Sequence, residues 1–217
     1  MKKILFSIAL ILPFCVFAQI GLKAGLNFAN VTKASSINNS SQTGFHAGAF
    51  LAPGGKGIMG FRTEILYSKQ GYNYKTSANT GNVNLDYILM PQLTTISITK
   101  YFQLQLGAQM AFLINAKVDS SNGTTTGNAT ADKIMNYYNR FDYGFAGGVE
   151  IHPVAGLLIG ARMNISLGNM YKDMSTATPG ASPSFIPKVD VKNNVFQVFA
   201  GWKFGKQSPK KPKKKES

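Results

Sequence analysis

The chain holds one cysteine, Cys15, in 217 residues. A disulfide framework and a Cys-based zinc site are therefore excluded. Histidine is nearly as scarce: only His46 and His152 are present. Acidic residues number nine, and charged residues make up 15% of the chain, against roughly 25% in a typical soluble domain. Beyond the N-terminal segment no stretch reaches 18 consecutive apolar residues, so no transmembrane helix is expected there. What is abundant is glycine (22 residues) and aromatics (12%), at a mean hydropathy of −0.04. Such aromatic and β-branched content disfavours intrinsic disorder, and the glycines follow no collagen-like repeat.

The formal charge of +14 is unevenly placed. Lys2 and Lys3 lie at the start, and residues 206–217 hold six lysines against Glu216, which leaves 15 basic and 8 acidic residues in 19–205. The N-terminus has the build of an export signal. Lys2-Lys3 precedes an apolar run, Ile4–Leu12, broken by Ser7, and Val16-Phe17-Ala18 puts small residues at the −3 and −1 positions. Cleavage before Gln19 is expected. A retained membrane helix is disfavoured because the run is shorter than the roughly 20 residues a span needs. Lipidation at Cys15 is disfavoured by the bulky Phe14 before it. Three regions follow: 1–18 a signal peptide, 19–205 a mature domain, 206–217 a disordered Lys-rich tail.

Period-two alternation dominates the remainder. Over 103–114 one face carries Leu104, Leu106, Ala108, Met110, Phe112 and Ile114, and the other Gln103, Gln105, Gly107, Gln109, Ala111 and Leu113. Eight strands are read: 20–30, 43–52, 58–68, 83–97, 102–114, 140–152, 157–168 and 194–204. Each is expected to carry one apolar face and one face of Gly, amide and charge. A soluble sandwich strand can alternate in this way. An outer-membrane barrel inverts the solvents: apolar side chains meet lipid and polar ones fill the interior. Such a sheet must close, because unpaired backbone groups find no water in a bilayer.

The connections alternate as well. Segments 31–42, 69–82, 115–139 and 169–193 are long and polar, whereas Pro53–Gly57, Ile98–Tyr101 and Pro153–Gly156 are tight. Short periplasmic turns and long extracellular loops are the barrel pattern. Within the loops, Ala131–Tyr138 suits a short helix or a strand extension, and Pro179, Pro183 and Pro187 resist regular structure. Tyr67, Tyr87, Tyr101, Trp202 and Phe204 fall near strand ends, where a membrane interface favours amphipathic rings. The expected fold is all-β: an eight-stranded, antiparallel, up-and-down transmembrane β-barrel.

Several short segments carry a family resemblance. They are Gly21-Leu22-Lys23-Ala24-Gly25-Leu26-Asn27-Phe28, Glu64-Ile65-Leu66-Tyr67-Ser68-Lys69-Gln70-Gly71, Tyr87-Ile88-Leu89-Met90-Pro91, Phe141-Asp142-Tyr143-Gly144 and Trp202-Lys203-Phe204. In order and spacing they resemble PorT-like outer-membrane β-barrel proteins across 19–205. One departure is Met90, where members often place an acidic residue before the proline. The resemblance implies an eight-stranded barrel in the cell outer membrane of a Gram-negative bacterium. It does not imply a single activity; the namesake supports a secretion and gliding system, and carrying that role over is analogy at the level of fold.

An eight-stranded barrel is just wide enough for its own side chains. Lys23, Arg62, Glu64, Asp142, Glu150, Arg162 and Lys203 are assigned to the lumen, with His46 and Asp86 as further candidates. Four bases against three acids suit an interlocked polar core, since a buried unpaired charge costs several kcal/mol, on the order of an ion's effective desolvation penalty. A narrow ion path is the alternative. No residue qualifies as catalytic: neither His has an evident nucleophile and acid partner, and Asp142 and Glu150 lie roughly 26 Å apart along one strand at about 3.3 Å per residue. No cofactor or metal is expected.

The run Lys210-Lys211-Pro212-Lys213-Lys214-Lys215 would suit nucleic acid, but export argues against that partner. A solvated tail that touches anionic lipid headgroups or cell wall is expected instead. The sequence thus points to a non-enzymatic, monomeric outer-membrane barrel in contact with outer-membrane lipid and lipopolysaccharide. Its role is structural or partner-binding, with secretion or envelope proteins as the implied partners. The alternative is a small porin or transporter for hydrophobic or ionic solutes.

Overall fold

A computed structural model describes residues 18–32, 40–53, 57–75, 80–120, 135, 137–172 and 191–205. Most of the N-terminal segment and the whole Lys-rich tail lie outside these residues. Among them run eight strands: β1 Ala18–Thr32, β2 Ser40–Pro53, β3 Met59–Lys75, β4 Thr80–Ser97, β5 Phe102–Ser120, β6 Phe141–Ile151, β7 Leu157–Ser166 and β8 Lys192–Lys203. Each pairs antiparallel with its sequence neighbours, and β8 closes on β1 through Gly21↔Lys203 to Thr32↔Lys192. Among the described residues each strand is thus paired on both edges, as a membrane-spanning sheet requires.

Tight connections and long ones fall at opposite ends of the barrel. At the short-turn rim, the Thr99 hydroxyl accepts from the backbone N–H groups of Tyr101 (3.1 Å) and Phe102 (3.0 Å), fixing the β4–β5 turn. Gly156 takes φ +90° in the β6–β7 turn, a conformation that favours glycine.

Two expectations about strand length need correction. The 69–82 segment is mostly strand, because β3 continues to Lys75 and β4 begins at Thr80. Likewise β5 runs on to Ser120, through residues read as loop. The Ser, Thr and Asn content of these stretches suggested loops. Alternation inside them nevertheless buries Tyr72, Tyr74 and Ala116, so the sheet continues through them. Between Asp86 and Tyr87 the register with β5 shifts, leaving Ile114 bulged out. Expectations for 131–134 and for the prolines of 173–190 lie outside the described residues.

The face pattern holds for β1, β6, β7, β8 and the first half of β3, before Leu66, Tyr72 and Tyr74 turn inward. Leu22, Leu26, Phe61, Ile65, Phe145, Ile159, Ile165 and Val198 point outward, and Lys23, Asn27, Arg62, Glu64, Glu150, Arg162 and Gln197 are buried. β4 departs from it. Val83, Leu85, Tyr87, Leu89 and Leu93 face the lumen, and Asn84, Asp86, Gln92 and Thr94 take the outward positions. The physical reason is that this barrel interior is not uniformly polar. Its long-loop half is an apolar core built from Leu66, Tyr72, Tyr74, Val83, Leu85, Tyr87, Leu89, Leu113 and Ala116, and roofed by Met135, Tyr138, Met170 and Tyr171. Charged and amide side chains occupy the short-turn half together with Phe50, Leu158 and Phe199.

Two phenylalanines fill that lower half because glycines make room beside them. Phe199 pairs across the strands with Gly25 on one side and Gly160 on the other. A Cβ at Gly160 would stand 2.6 Å from the Phe199 ring. Phe50 packs in the same manner against Gly21, its cross-strand partner.

Candidate functional site

The lower lumen is an ion-pair lattice assembled from five strands. Inward positions two apart on β3 supply Arg62 and Glu64, whose side chains stand over the same sheet face. Glu64 accepts from both terminal nitrogens of Arg162 at 2.8 Å and from Lys23 Nζ at 3.1 Å. Arg62 Nη1 lies 3.8 Å from Glu64 Oε1. Glu150 in turn accepts from Arg62 at 2.7 and 2.9 Å, and from Gln105 Nε2 at 2.6 Å. Gln105 joins the two halves, since its Oε1 accepts from Arg162 Nη2 at 2.7 Å. His152 Nε2 sits 2.9 Å from Glu150 Oε1 and continues the chain toward the short-turn rim.

The aromatic rings carry part of this charge. Lys23 Nζ stands 3.7 Å above the centre of Phe199, and Arg62 lies 4.6 Å over Phe50. Three cations thus meet two carboxylates and two ring faces, each of which attracts positive charge. Lys23, Arg62, Glu64, Glu150 and Arg162 are all buried. In such surroundings a bidentate Arg–carboxylate pair offsets desolvation only when its remaining hydrogen-bonding groups are also met, and Gln105 meets two of them.

Of the seven charges assigned to the lumen, the structure brings five together. Lys203 is half-buried on the lumen face near the short-turn rim. Asp142 stands apart on β6, where its carboxylate accepts from Ser166 Oγ at 2.7 Å and from the Tyr143 N–H at 2.8 Å. His46 lies inside, fully buried. Asp86 does not: it takes an outward position on β4 and accepts from Asn115 Nδ2 at 2.9 Å.

Of the aromatics expected at the membrane interface, Tyr101, Trp202 and Phe204 are exposed at the short-turn rim. Tyr67 faces outward, its ring 5.8 Å from that of Phe45. Tyr87 is corrected: it is 3% exposed and belongs to the apolar core of the lumen. Its parity on β4 decides this, because Leu85 and Leu89 share its face.

A middle layer escaped the reading of charges. Asn27 donates through Nδ2 to the carbonyls of Phe45 and Lys69 and to Ser68 Oγ, at 2.8–2.9 Å. Its Oδ1 accepts from His46 Nδ1 at 2.8 Å and Gln197 Nε2 at 3.0 Å. Farther up, Gln70 Nε2 donates to Ser68 Oγ at 2.9 Å, and Gln70 Oε1 accepts from Asn193 at 2.6 Å. The signal was present as amides on the polar faces, but neutral side chains do not announce their partners.

At the long-loop end the wall continues beyond the strands. Tyr138 bridges Tyr171, the Asn139 N–H donates to the Met170 carbonyl at 2.9 Å, and the Met170 N–H to Val191 at 2.9 Å. The rings of Tyr138 and Tyr171 lie 4.8 Å apart, and the Tyr171 hydroxyl bonds that of Tyr72. Burial pushes the Tyr138 and Tyr171 hydroxyls well above the ordinary tyrosine range.

Among the described residues no group of three or more His, Cys, Asp or Glu could hold a metal ion. No helix among them is long and apolar enough to cross a membrane, which says nothing of strands.

Solved structures similar in outline include Ail, the attachment invasion locus protein of Yersinia pestis (14% identity, TM-score 0.44, 86% of this chain and 97% of that one). Neisserial surface protein A (15%, 0.44, 86% and 97%) and OprG from Pseudomonas aeruginosa (11%, 0.40, 86% and 94%) are others. No curated protein matches the sequence. The model of the outer membrane protein beta-barrel domain matches residues 17–172, which take in β1 through β7. With its closed eight-stranded ring, the chain belongs to the outer membrane protein beta-barrel domain family.

Proposed function

We propose that this protein is a non-enzymatic outer-membrane scaffold whose barrel is closed to solutes and whose long-loop end binds a partner. The observation that carries this reading is that side chains block the lumen on both sides of its middle. The ion lattice around Glu64 and Glu150 fills the short-turn half, and the apolar core from Leu66 to Tyr171 fills the other. A through-path for ions would have to cross both.

Export through the segment 1–18 would place the short turns in the periplasm and the long connections outside the cell. Rigid scaffolds commonly present binding segments in this way. The PorT-like resemblance favours secretion or envelope proteins as partners. The Lys-rich tail then lies in the periplasm, where it meets anionic lipid or cell wall by charge.

Single-channel recording of the full chain in planar bilayers tests the closed lumen. No discrete conductance is expected. Stable unitary currents would overturn the reading in favour of a small porin or transporter. Crosslinking from the long-loop end in intact cells, followed by purification of the barrel, tests the partner; recovery of the monomer alone would count against binding.

A further inference from the structure

Between the ion lattice and the apolar core lies a layer of buried polar atoms that no protein group satisfies. They are His46 Nε2, Gln109 Oε1, Gln197 Oε1, Arg162 Nε, and both Asn164 Oδ1 and Nδ2. His46 and Gln197 are fully buried and Asn164 is 2% exposed. Buried polar groups of native proteins are almost always bonded, to protein or to ordered water.

The atoms belong to one layer. His46 and Gln197 bond the same oxygen, Asn27 Oδ1. On β7 and β8, Arg162 pairs with Gln197 and Asn164 with Val195, which makes Asn164 the diagonal same-face neighbour of Gln197. Gln109 pairs with Gly144, and Asn164 with Ala146 two positions along. The wall between Gln109 and Asn164 is nearly without side chains. Gly107 and Ala146 pair across β5 and β6, and Gly144 and Gly148 flank them on β6.

The polarity of each atom can be assigned. Asn27 Nδ2 faces two carbonyls, so Oδ1 is truly the acceptor. His46 Nδ1 must then carry the proton it donates to Oδ1, and in the neutral ring Nε2 is a bare acceptor. Gln197 donates through Nε2, so its Oε1 is also bare. The set therefore comprises four acceptors (His46 Nε2, Gln109 Oε1, Asn164 Oδ1, Gln197 Oε1) and two donor nitrogens (Asn164 Nδ2, Arg162 Nε). A cation would satisfy the acceptors but would meet Lys23 and Arg162 nearby. Two water molecules balance the set, with four O–H donors for the acceptors and oxygen lone pairs for the two nitrogens. Buried waters typically make about three such bonds each.

We propose that the middle of the lumen is a solvent chamber that holds at least two ordered water molecules, walled by His46, Gln109, Asn164 and Gln197 and by the glycine-lined face of β6. The lattice closes it below and the tyrosine-roofed core above. The chamber is independent of what the long-loop end binds.

Water-to-protein NOE measurement on the full chain in nanodiscs tests it directly. Cross-peaks from long-lived water to the Asn164 side-chain amide and the His46 ring are expected. Their absence, with those protons otherwise observed, overturns the proposal. Asn164→Leu gives a second readout. If water satisfies Asn164, the variant's unfolding midpoint is unchanged or lower. A higher midpoint would show that the amide sat dry and unbonded, and would overturn the chamber. If this variant does not fold, the NOE result on the native chain decides alone.

Discussion

Glu64 and Arg162 lie 98 positions apart in the chain and meet head-on inside the barrel, both guanidinium terminal nitrogens donating to the carboxylate at 2.8 Å. The pair staples β3 to β7, strands that are not neighbours in the ring. Glu64 also holds Lys23, so its charge is what makes this cluster of cations tolerable. Glu64→Gln would leave buried positive charge uncompensated and should cost about 3–5 kcal/mol. Lys23→Met should cost less, because the Glu64–Arg162 pair survives and the apolar stem still packs on Phe199. Denaturant unfolding in micelles compares the two. Equal losses would show that the carboxylate is not the hub.

Arg62 differs in that its partner Glu150 keeps Gln105 and His152 when Arg62 is removed. Arg62→Ala should still destabilise the barrel, since it removes the two guanidinium hydrogen bonds of a buried carboxylate and strips the cation from the face of Phe50. It should not open the barrel, because the apolar core above is untouched. The expected result is loss of the folded gel band at a lower temperature, with bilayer currents still absent. A variant of unchanged heat-modifiability that passes ions would reverse the structural assignment of the lattice.

The lipid-facing surface makes a prediction of opposite sign at two neighbouring strands. Leu106 on β5 is 65% exposed and faces outward. Gln92 on β4 also faces outward, with Thr63 Oγ1 donating to its Oε1 at 2.7 Å. Leu106→Arg should destabilise the barrel in lipid by about 2–4 kcal/mol, the range for a cation near the bilayer midplane. Gln92→Leu combined with Thr63→Val should stabilise it, because a hydrogen-bonded amide and hydroxyl are removed together from hydrocarbon. Refolding equilibria in phospholipid vesicles measure both. A neutral Leu106→Arg would mean that this face does not meet lipid.

The ring, the strand count and the inward charges were legible because alternation and charge are local. A side chain's parity follows from its neighbours two positions away, so Lys23, Arg62, Glu64, Glu150 and Arg162 could be placed on the inner face one strand at a time. What joins them could not be read. That Glu64 meets Arg162 while Asp142 meets Ser166 depends on barrel stagger, which no single strand encodes. Tyr87 and Asp86 were misplaced for a related reason. β4 reverses the rule of apolar outside and polar inside, because its inner face abuts the tyrosine-rich core, and that core exists only once β3, β4 and β5 stand together. The overhang of those strands was hidden by composition, since Ser, Thr and Asn serve equally in a loop and on the wet face of a sheet.

That core ends in a pair of rings whose chemistry is testable by pH. Tyr138 is fully buried, Tyr171 nearly so, and burial raises both hydroxyls well above the ordinary value of 10.0. The sign follows from which state ionises first. Below pH 10 both phenols are neutral, folded or unfolded, and the roof keeps its full stability. As pH rises past 10 the unfolded chain releases these protons while the folded one holds them, so stability falls and continues to fall until the raised folded values are reached. Phenolate absorbance in micelles should show groups that titrate late. Tyr138→Phe and Tyr171→Phe should each remove one late group, and each should soften the alkaline loss of stability relative to the native chain. If the late part of the Tyr138→Phe curve superimposes on the native one, Tyr138 is not sealed in the roof, and the closure of the long-loop end has to be drawn without it.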